Sequence, residues 1–445
     1  MTQLLAGAAT ADITPQIGVP MGGYSARQGM STGTHDRLFA RTVVFSDGTT
    51  DLSVTVCDLV GIGERIVARV RELAAGELGM AAGHVLVAAT HTHSGPLEVN
   101  PDELTAYPES VARAIVSSIS EARKAAQPVS LKAGQAEVTS ISQNRRDPAG
   151  PIETLATVVA AAPAGGGRPA ITLVNYACHS TVLEHDNMQY SPDFPGAMVR
   201  FLEREVGGSA IYLQGAAGNI NPVWMRHDFT EVERIGGILG AAATRLVHEM
   251  EPLGSGQWGI NLSWSEDTEK PPAGALVAAA PLAATQVFPE LARRPARTQD
   301  DLRAELDQLE AARDAAGDQA ARRELTAKIN QLKVEWAVAG RMAGSAPPPA
   351  VEAIEIQAMR LGDDLALVSL PGEFFVETGD AIRAAAGVPN LLVVGYANQM
   401  VGYVPPAGAF ASAGYEVGRT MFEIEAEKVI VEAAVAAIRS LFGGE

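Results

Sequence analysis

The sequence predicts an α/β fold: mixed β-sheets flanked by helices, with a helical hairpin inserted late in the chain. Two observations predict the sheets and helices, and a third predicts the insertion. Short apolar runs rich in Val, Ile and Leu alternate with longer stretches of helical spacing through the first 250 residues. Hydrophobic residues make up 47% of the 445, which supplies a sizeable core and excludes wholesale disorder. Beyond Pro271 alanine and proline take over, followed by the densest charge in the chain, before sheet-like sequence resumes at Val351. The expected organisation is a single domain over 1–445 with an insertion at 271–349, and no internal repeat is visible.

Local signals give the elements in order. RTVVFSDG and LSVTVCDLVGI are two strands joined by a turn at Asp47-Gly48. GERIVARVRELAAGELG spaces its apolar residues as a helix does and stops at glycine. HVLVAAT is a short buried strand, and a helix over Asp102–Lys124 follows it. Strands are expected near Ser130–Thr139 and Ile152–Ala162 and, past the turn at Gly165–Gly167, over AITLVNYACHS. FPGAMVRFLEREVG is a helix, AIYLQGAAGNINP a strand running into a loop, and EVERIGGILGAAATRLVHEM a long helix. Leu302, Leu306 and Leu309, with charged i,i+4 partners, predict a hairpin of helices broken near Gly317, and AGSAPPPA closes it as a stiff linker. VEAIEIQAMRLGDDLALVSLPGEF returns to sheet, Val376–Ala385 to helix and NLLVVGYANQMVGYVPP to strand. An amphipathic helix over Phe422–Leu441 ends the pattern.

Composition excludes several classes of function. A formal net charge of −18 repels phosphate backbones and anionic membranes, so no nucleic-acid partner is expected. Two cysteines, Cys57 and Cys178, rule out a disulfide scaffold and suit a reducing compartment. The N-terminal residues carry no signal-peptide pattern, and no apolar stretch reaches the ~18 residues of a membrane span. A soluble cytoplasmic protein with no membrane insertion is expected.

The chemistry-bearing residues cluster at the ends of apolar runs. AATHTHSGP sets His91 and His93 one residue apart after a buried strand, and i,i+2 residues of a strand share a face. The C-terminal ends of strands are where α/β sites are built. Two such imidazoles bind a metal or move protons, or else cap the strand and hydrogen-bond its loop; the pair alone leaves both readings open. His179 ends a second buried run, Glu373 follows a third at LPGEFF, and Tyr396 and Tyr403 lie in a fourth. Four such ends offer His, His, Glu and Tyr, a plausible N/O metal set. Cys178-His179 makes a poor nucleophile pair, because adjacent strand residues face opposite ways. GIGERI lacks the third glycine of a dinucleotide loop, AGGGRP lacks the lysine of a phosphate loop, and GMSTG has neither strand before it nor helix after it.

Taken in order, ADITP, MGGYSAR, GTHDRLFARTVVF, ATHTHSGP, QNRR, ACHSTVLEHDNMQYSPDFPGA, YLQGAAGNINP, LPGEFF and GYANQMVGYV resemble the neutral/alkaline non-lysosomal ceramidase family, in that family's own order. The resemblance implies a ceramidase-type catalytic domain and a zinc amidase. It implies His91, His179, Glu373 and Tyr403 as zinc ligands, although Tyr403 is equally suited to a hydrogen-bonding role beside the ion. It implies His93 as the group that stabilises the tetrahedral intermediate or passes protons to the leaving amine, and Arg145 as a holder of the substrate's polar head. One Zn2+ per chain is expected, and manganese or iron also suits N/O ligands.

The departures are as informative. Leu97-Glu98 follow HTHSGP where the family has Gly-Gly, and Asn219 and Asn221 replace an acid and a serine. The serine-bearing segment after that block is VWMRHDF here, and the C-terminal immunoglobulin-like domain of ceramidases has no counterpart. Trp224, Arg226, His227 and Leu97 are candidate substrate contacts; Met21–Arg27 and His35 are candidates to lie near the site. The expectation is a zinc-dependent amidohydrolase of a small or lipid-like soluble amide, a divergent member that is not a ceramidase proper. Ester or lactone hydrolysis stands second, and a catalytically silent binding protein third. The helical insertion reads first as a solvated surface insertion; a lid or a dimerisation arm, the latter a surface for a homo-oligomer, comes second.

Overall fold

The computed structural model describes residues 3–97, 106–250, 275–277, 281–295, 297–342, 349–412 and 414–443. Glu98, the start of the helix expected from Asp102, the opening of the Ala/Pro run at 271–274 and the linker at 343–348 lie outside these residues. The described chain groups into two compact units, residues 1–289 with 354–401 and 428–445, and residues 290–353 with 402–427.

The first unit is built around two large sheets, with two-stranded pairings beside them. The larger runs through Leu5–Asp12 (β1), Phe39–Ser46 (β2), Asp51–Cys57 (β3), Val85–Ala89 (β4), Gln127–Glu137 (β5), Leu155–Pro163 (β6), Ile171–Tyr176 (β7) and Ser209–Gln214 (β8), in the spatial order β8-β7-β6-β5-β1-β2-β3-β4. Pairs β3–β4 and β7–β8 are parallel and the other pairings antiparallel, so the sheet is mixed as expected. The smaller sheet orders Ala283–Val287 (β9), Ile356–Arg360 (β10), Leu365–Ser369 (β11) and Asn390–Val394 (β12), its last pair parallel. β1 was not anticipated: LAGAATAD is Ala- and Gly-rich, and Thr10 is the one β-branched residue in it.

Alternation of side chains explains the layers. Phe45, Leu86, Leu173 and Leu213 on one face of the large sheet pack with Leu367 and Leu392 of the small one. On the opposite face Val44, Val85 and Val87 meet Ile66 and Val70 of Glu64–Leu73 (α1) and Ile115 and Ile119 of Ala106–Lys124 (α2). Val158, Val174 and Tyr212 meet Phe194 and Leu202 of Phe194–Glu205 (α3) and Ile235 and Leu239 of Phe229–Met250 (α4). Covered on both faces, β4 reads as a continuous apolar run. Gly236 lets α4 approach α3, since a Cβ there would overlap Ala197 and the Phe194 carbonyl. Asn175 joins the two sheets: its Nδ2 donates to Leu213 O and Val393 O, both at 2.9 Å.

In the second unit Glu290–Ala292 pairs antiparallel with Val351–Ala353, closing the ends of the insertion. Between them Gln299–Ala315 (α5) and Gln319–Met342 (α6) form the expected hairpin, with the break around Gly317. A capping box between Thr298 and Asp301 starts α5, and Leu302, Leu306, Ile329 and Leu332 bury one another along the hairpin. Among the described residues no helix is long and apolar enough to cross a membrane.

One buried ion pair supports the small sheet. Arg71 Nη1 and Nη2 each donate to the Glu355 carboxylate at 2.6 Å, and Gln286 and Asn398 donate to it as well. Removing one partner strands the other charge. Arg71→Met should therefore lower the unfolding free energy in urea by about 3 kcal/mol. Adding Glu355→Gln should recover part of that loss, because Gln keeps an acceptor for Gln286 and Asn398 without the charge.

Candidate metal centre

Three imidazoles and a carboxylate converge where β4, β7 and β11 end. The strand β4 stops at Ala89, and His91 takes left-handed backbone with φ +61°. The shared face expected from a strand running through His91 and His93 is therefore not what brings them together. A turn does so, held by a parallel bridge between Thr92 and Ser180 and by the His93 amide donating to Ser180 O at 3.3 Å. That bridge lays the two histidine-bearing loops side by side.

The hydrogen bonds fix which nitrogens face inward. His91 Nδ1 lies 2.5 Å from Val60 O and His179 Nδ1 lies 2.6 Å from Ala217 O. A carbonyl can only accept, so each Nδ1 carries the proton and each Nε2 presents a lone pair. His91 Nε2 is 3.2 Å from His93 Nε2 and 3.6 Å from Glu373 Oε2, which is 3.3 Å from His179 Nε2. Ligands ~2.0–2.1 Å from a tetrahedral zinc lie roughly 3.3 Å from one another. The spacings thus match the edges of such a tetrahedron. Glu373 Oε2 is buried and makes no hydrogen bond, as a carboxylate oxygen reserved for a cation would be. His91, His93 and His179 form the only group of three or more potential ligand residues of this kind among the described residues.

Burial keeps His91 and His93 neutral. It pushes His91 down to about 3, against the opposing pull of Glu373, with His179 and Arg145 adding to the fall. His93 is held well below its usual range by burial first, then by His91, His179, Arg145 and Arg27. Neutral imidazole is the form that ligates a metal or accepts a proton.

The other residues singled out in the sequence take up various places. Arg145 lies near enough to act electrostatically on His91 and His93; its amide donates to Asn219 O, and its Nη1 is 3.5 Å from Asn221 Oδ1. Leu97 is exposed, with its amide on Pro20 O. Trp224 packs against His227, whose Nδ1 bonds Val182 O and whose Nε2 lies 3.2 Å from Glu184. His35 stacks on Phe229 at 3.5 Å and bonds Asp36. Tyr403 belongs to the second unit, buried with its ring edge-on to Tyr415.

Comparison with known proteins bears on this arrangement. Residues 4–221, which hold His91, His93, Arg145 and His179, match the family described as neutral/alkaline non-lysosomal ceramidase, N-terminal. Over that stretch, just under half of its length, the chain resembles the neutral/alkaline non-lysosomal ceramidase family. The neutral ceramidase of Pseudomonas aeruginosa is 24% identical over 97% of this chain and 71% of its own length. The crystal structure of that organism's neutral ceramidase superposes with a TM-score of 0.74 at 22% identity, covering 99% of this chain and 75% of the other. A ceramidase structure complexed with C2 superposes with a TM-score of 0.73, also at 22% identity, with the same coverage. The α/β architecture is thus that of the ceramidase structures, and the resemblance supports an amide-cleaving hydrolase.

Two neighbours of this centre were only partly visible in the sequence. Tyr396, at a left-handed φ of +54°, stacks on His91 with ring centroids 4.0 Å apart. In the segment expected near the site, Tyr24 sets its ring edge-on to His93 at 4.7 Å. The paired glycines before Tyr24 were the available signal: Gly23 has φ +94°, and a Cβ there would overlap the His93 ring.

The lowered pKa of His91 gives a stability prediction with a definite sign. The unfolded chain protonates this group below ~6.5, whereas the metal-free fold keeps it neutral to about 3, so acidification through that window favours unfolding. Of the wild-type stability lost between pH 7 and 5, about 2 kcal/mol should come from His91. In metal-free His91→Asn, urea melts at the two pH values should show a correspondingly smaller loss.

Proposed function

We propose that this protein is a zinc-dependent amidase for a small or amphipathic soluble amide. His91, His179 and Glu373 would hold the ion, and His93 would handle protons. The observation that carries this reading is the convergence of lone pairs at tetrahedral spacing, in a chain that resembles an amide-cleaving family. His91 and His179 suit ligation because a backbone carbonyl fixes each ring and its tautomer. A zinc ion bound there supplies Lewis acidity, lowering the pKa of water to ~7 and polarising the scissile carbonyl.

The chain's own groups complete the chemistry. His93, neutral and beside the ligand cluster, is suited to stabilise a developing oxyanion and to deliver a proton to the departing amine. Arg145 is suited to orient a polar group of the substrate. Its neighbour Asn221 stands where the family has a serine, and Leu97 replaces the first of two glycines beside HTHSGP. Those replacements support a substrate smaller than the ceramide named for the Pseudomonas relative.

Protein purified without added metal or a metal-binding tag should carry about one zinc per chain by elemental mass spectrometry. His91→Ala and His179→Ala should lose the metal, and with it at least ~100-fold in kcat/KM on N-acyl para-nitroanilides. Undiminished turnover by His91→Ala would sink the metal mechanism. Cleavage of the matched para-nitrophenyl esters with no amide turned over would transfer the assignment to an esterase.

A further inference from the structure

His91 and His179 are each fixed by a carbonyl on Nδ1, whereas His93 Nδ1 is buried and makes no hydrogen bond. The restraint on His93 comes from a different place. Arg27 Nη1 donates to His93 O at 2.7 Å and to Gly22 O, its Nη2 to Glu184 O at 3.2 Å and its Nε to His185 O at 3.3 Å. The same guanidinium lies 5.1 Å over the Tyr24 ring, whose edge meets His93, and Tyr24 OH donates to Leu183 O at 2.8 Å.

The 182–185 segment is itself pinned. Asp193, buried at φ +60° and ψ −155°, accepts from the amides of Val182, Leu183 and Phe194. That backbone region is nearly exclusive to glycine, so the surrounding bonds must enforce it. A planar fork with its donors spread over four carbonyls from three segments sets distances that a point-charge ammonium cannot.

We propose that Tyr24 and Arg27 are positioning residues for His93. They hold its main chain and ring edge, and Asp193 anchors the segment they pull against. The catalytic part of this inference rests on the amidase reading; the positioning part does not.

The test uses the full-length, zinc-loaded protein with ring-labelled histidine, and para-nitroanilide turnover alongside. In Arg27→Met and Tyr24→Ala the His93 ring resonances should shift or broaden, while those of His91 and His179 and the zinc content stay as in wild type. On the anilides kcat should fall ~10- to 100-fold with KM within ~2-fold. Tyr24→Phe, which keeps the ring edge and loses only the bond to Leu183 O, should fall less, and Arg27→Lys should restore part of the loss. Unchanged His93 resonances across the series would overturn the proposal. So would zinc content and Tm falling in step with kcat, the mark of a merely structural role. If the wild type cleaves no anilide, the amidase reading fails, and the ring spectra alone decide the positioning of His93.

Discussion

Everything around the centre answers to one constraint: three imidazoles and a carboxylate are buried within reach of each other. Charge on any of them is expensive there without a partner. His91 and His93 meet the constraint by staying neutral, which is what burial does to them. Neutral rings with both inner ligands' protons committed to Val60 O and Ala217 O leave lone pairs facing one another. A cation bound there would resolve that geometry and neutralise Glu373 as well.

The sheets make this arrangement possible because they bring distant strand ends to one place. The loop after β12 returns to pair with β4 through Ala88 and Ala397, so Tyr396 comes to lie on the His91 ring. Gly395 N bonds Gln214 O, and Gly218 N bonds Phe374 O beside Glu373, which draws the end of β8 into the same cluster. Asn219 accepts from Val376 N and donates to Glu377, so it secures the helix that follows Glu373.

Much of this was legible in the sequence, for physical reasons. Strands buried on both faces announce themselves as continuous apolar runs, and His91, His179 and Glu373 each follow one. The reading stopped where backbone conformation took over. Pleat geometry suggested that His91 and His93 share a face, yet a left-handed residue and a bridge to Ser180 do that work. β1 escaped notice because its alanines carry no β signature, and the packing of Tyr24 and Arg27 against His93 depends on a loop register that no period encodes. Trp224 packs against His227, which in turn bonds Val182 O and faces Glu184, a tertiary relation invisible in a run of letters.

The wide spacing of the inner groups has a consequence for how the protein comes into being. His91 and Glu373 stand about 280 residues apart in sequence. At roughly 5–20 residues per second, a ribosome releases the carboxylate tens of seconds after the first imidazole. For that interval the nascent chain exposes histidines without their anionic companion. The candidate ligand set is complete only once Glu373 has been made, so a metal that needs all of its members would bind after every described strand of the large sheet has been synthesised.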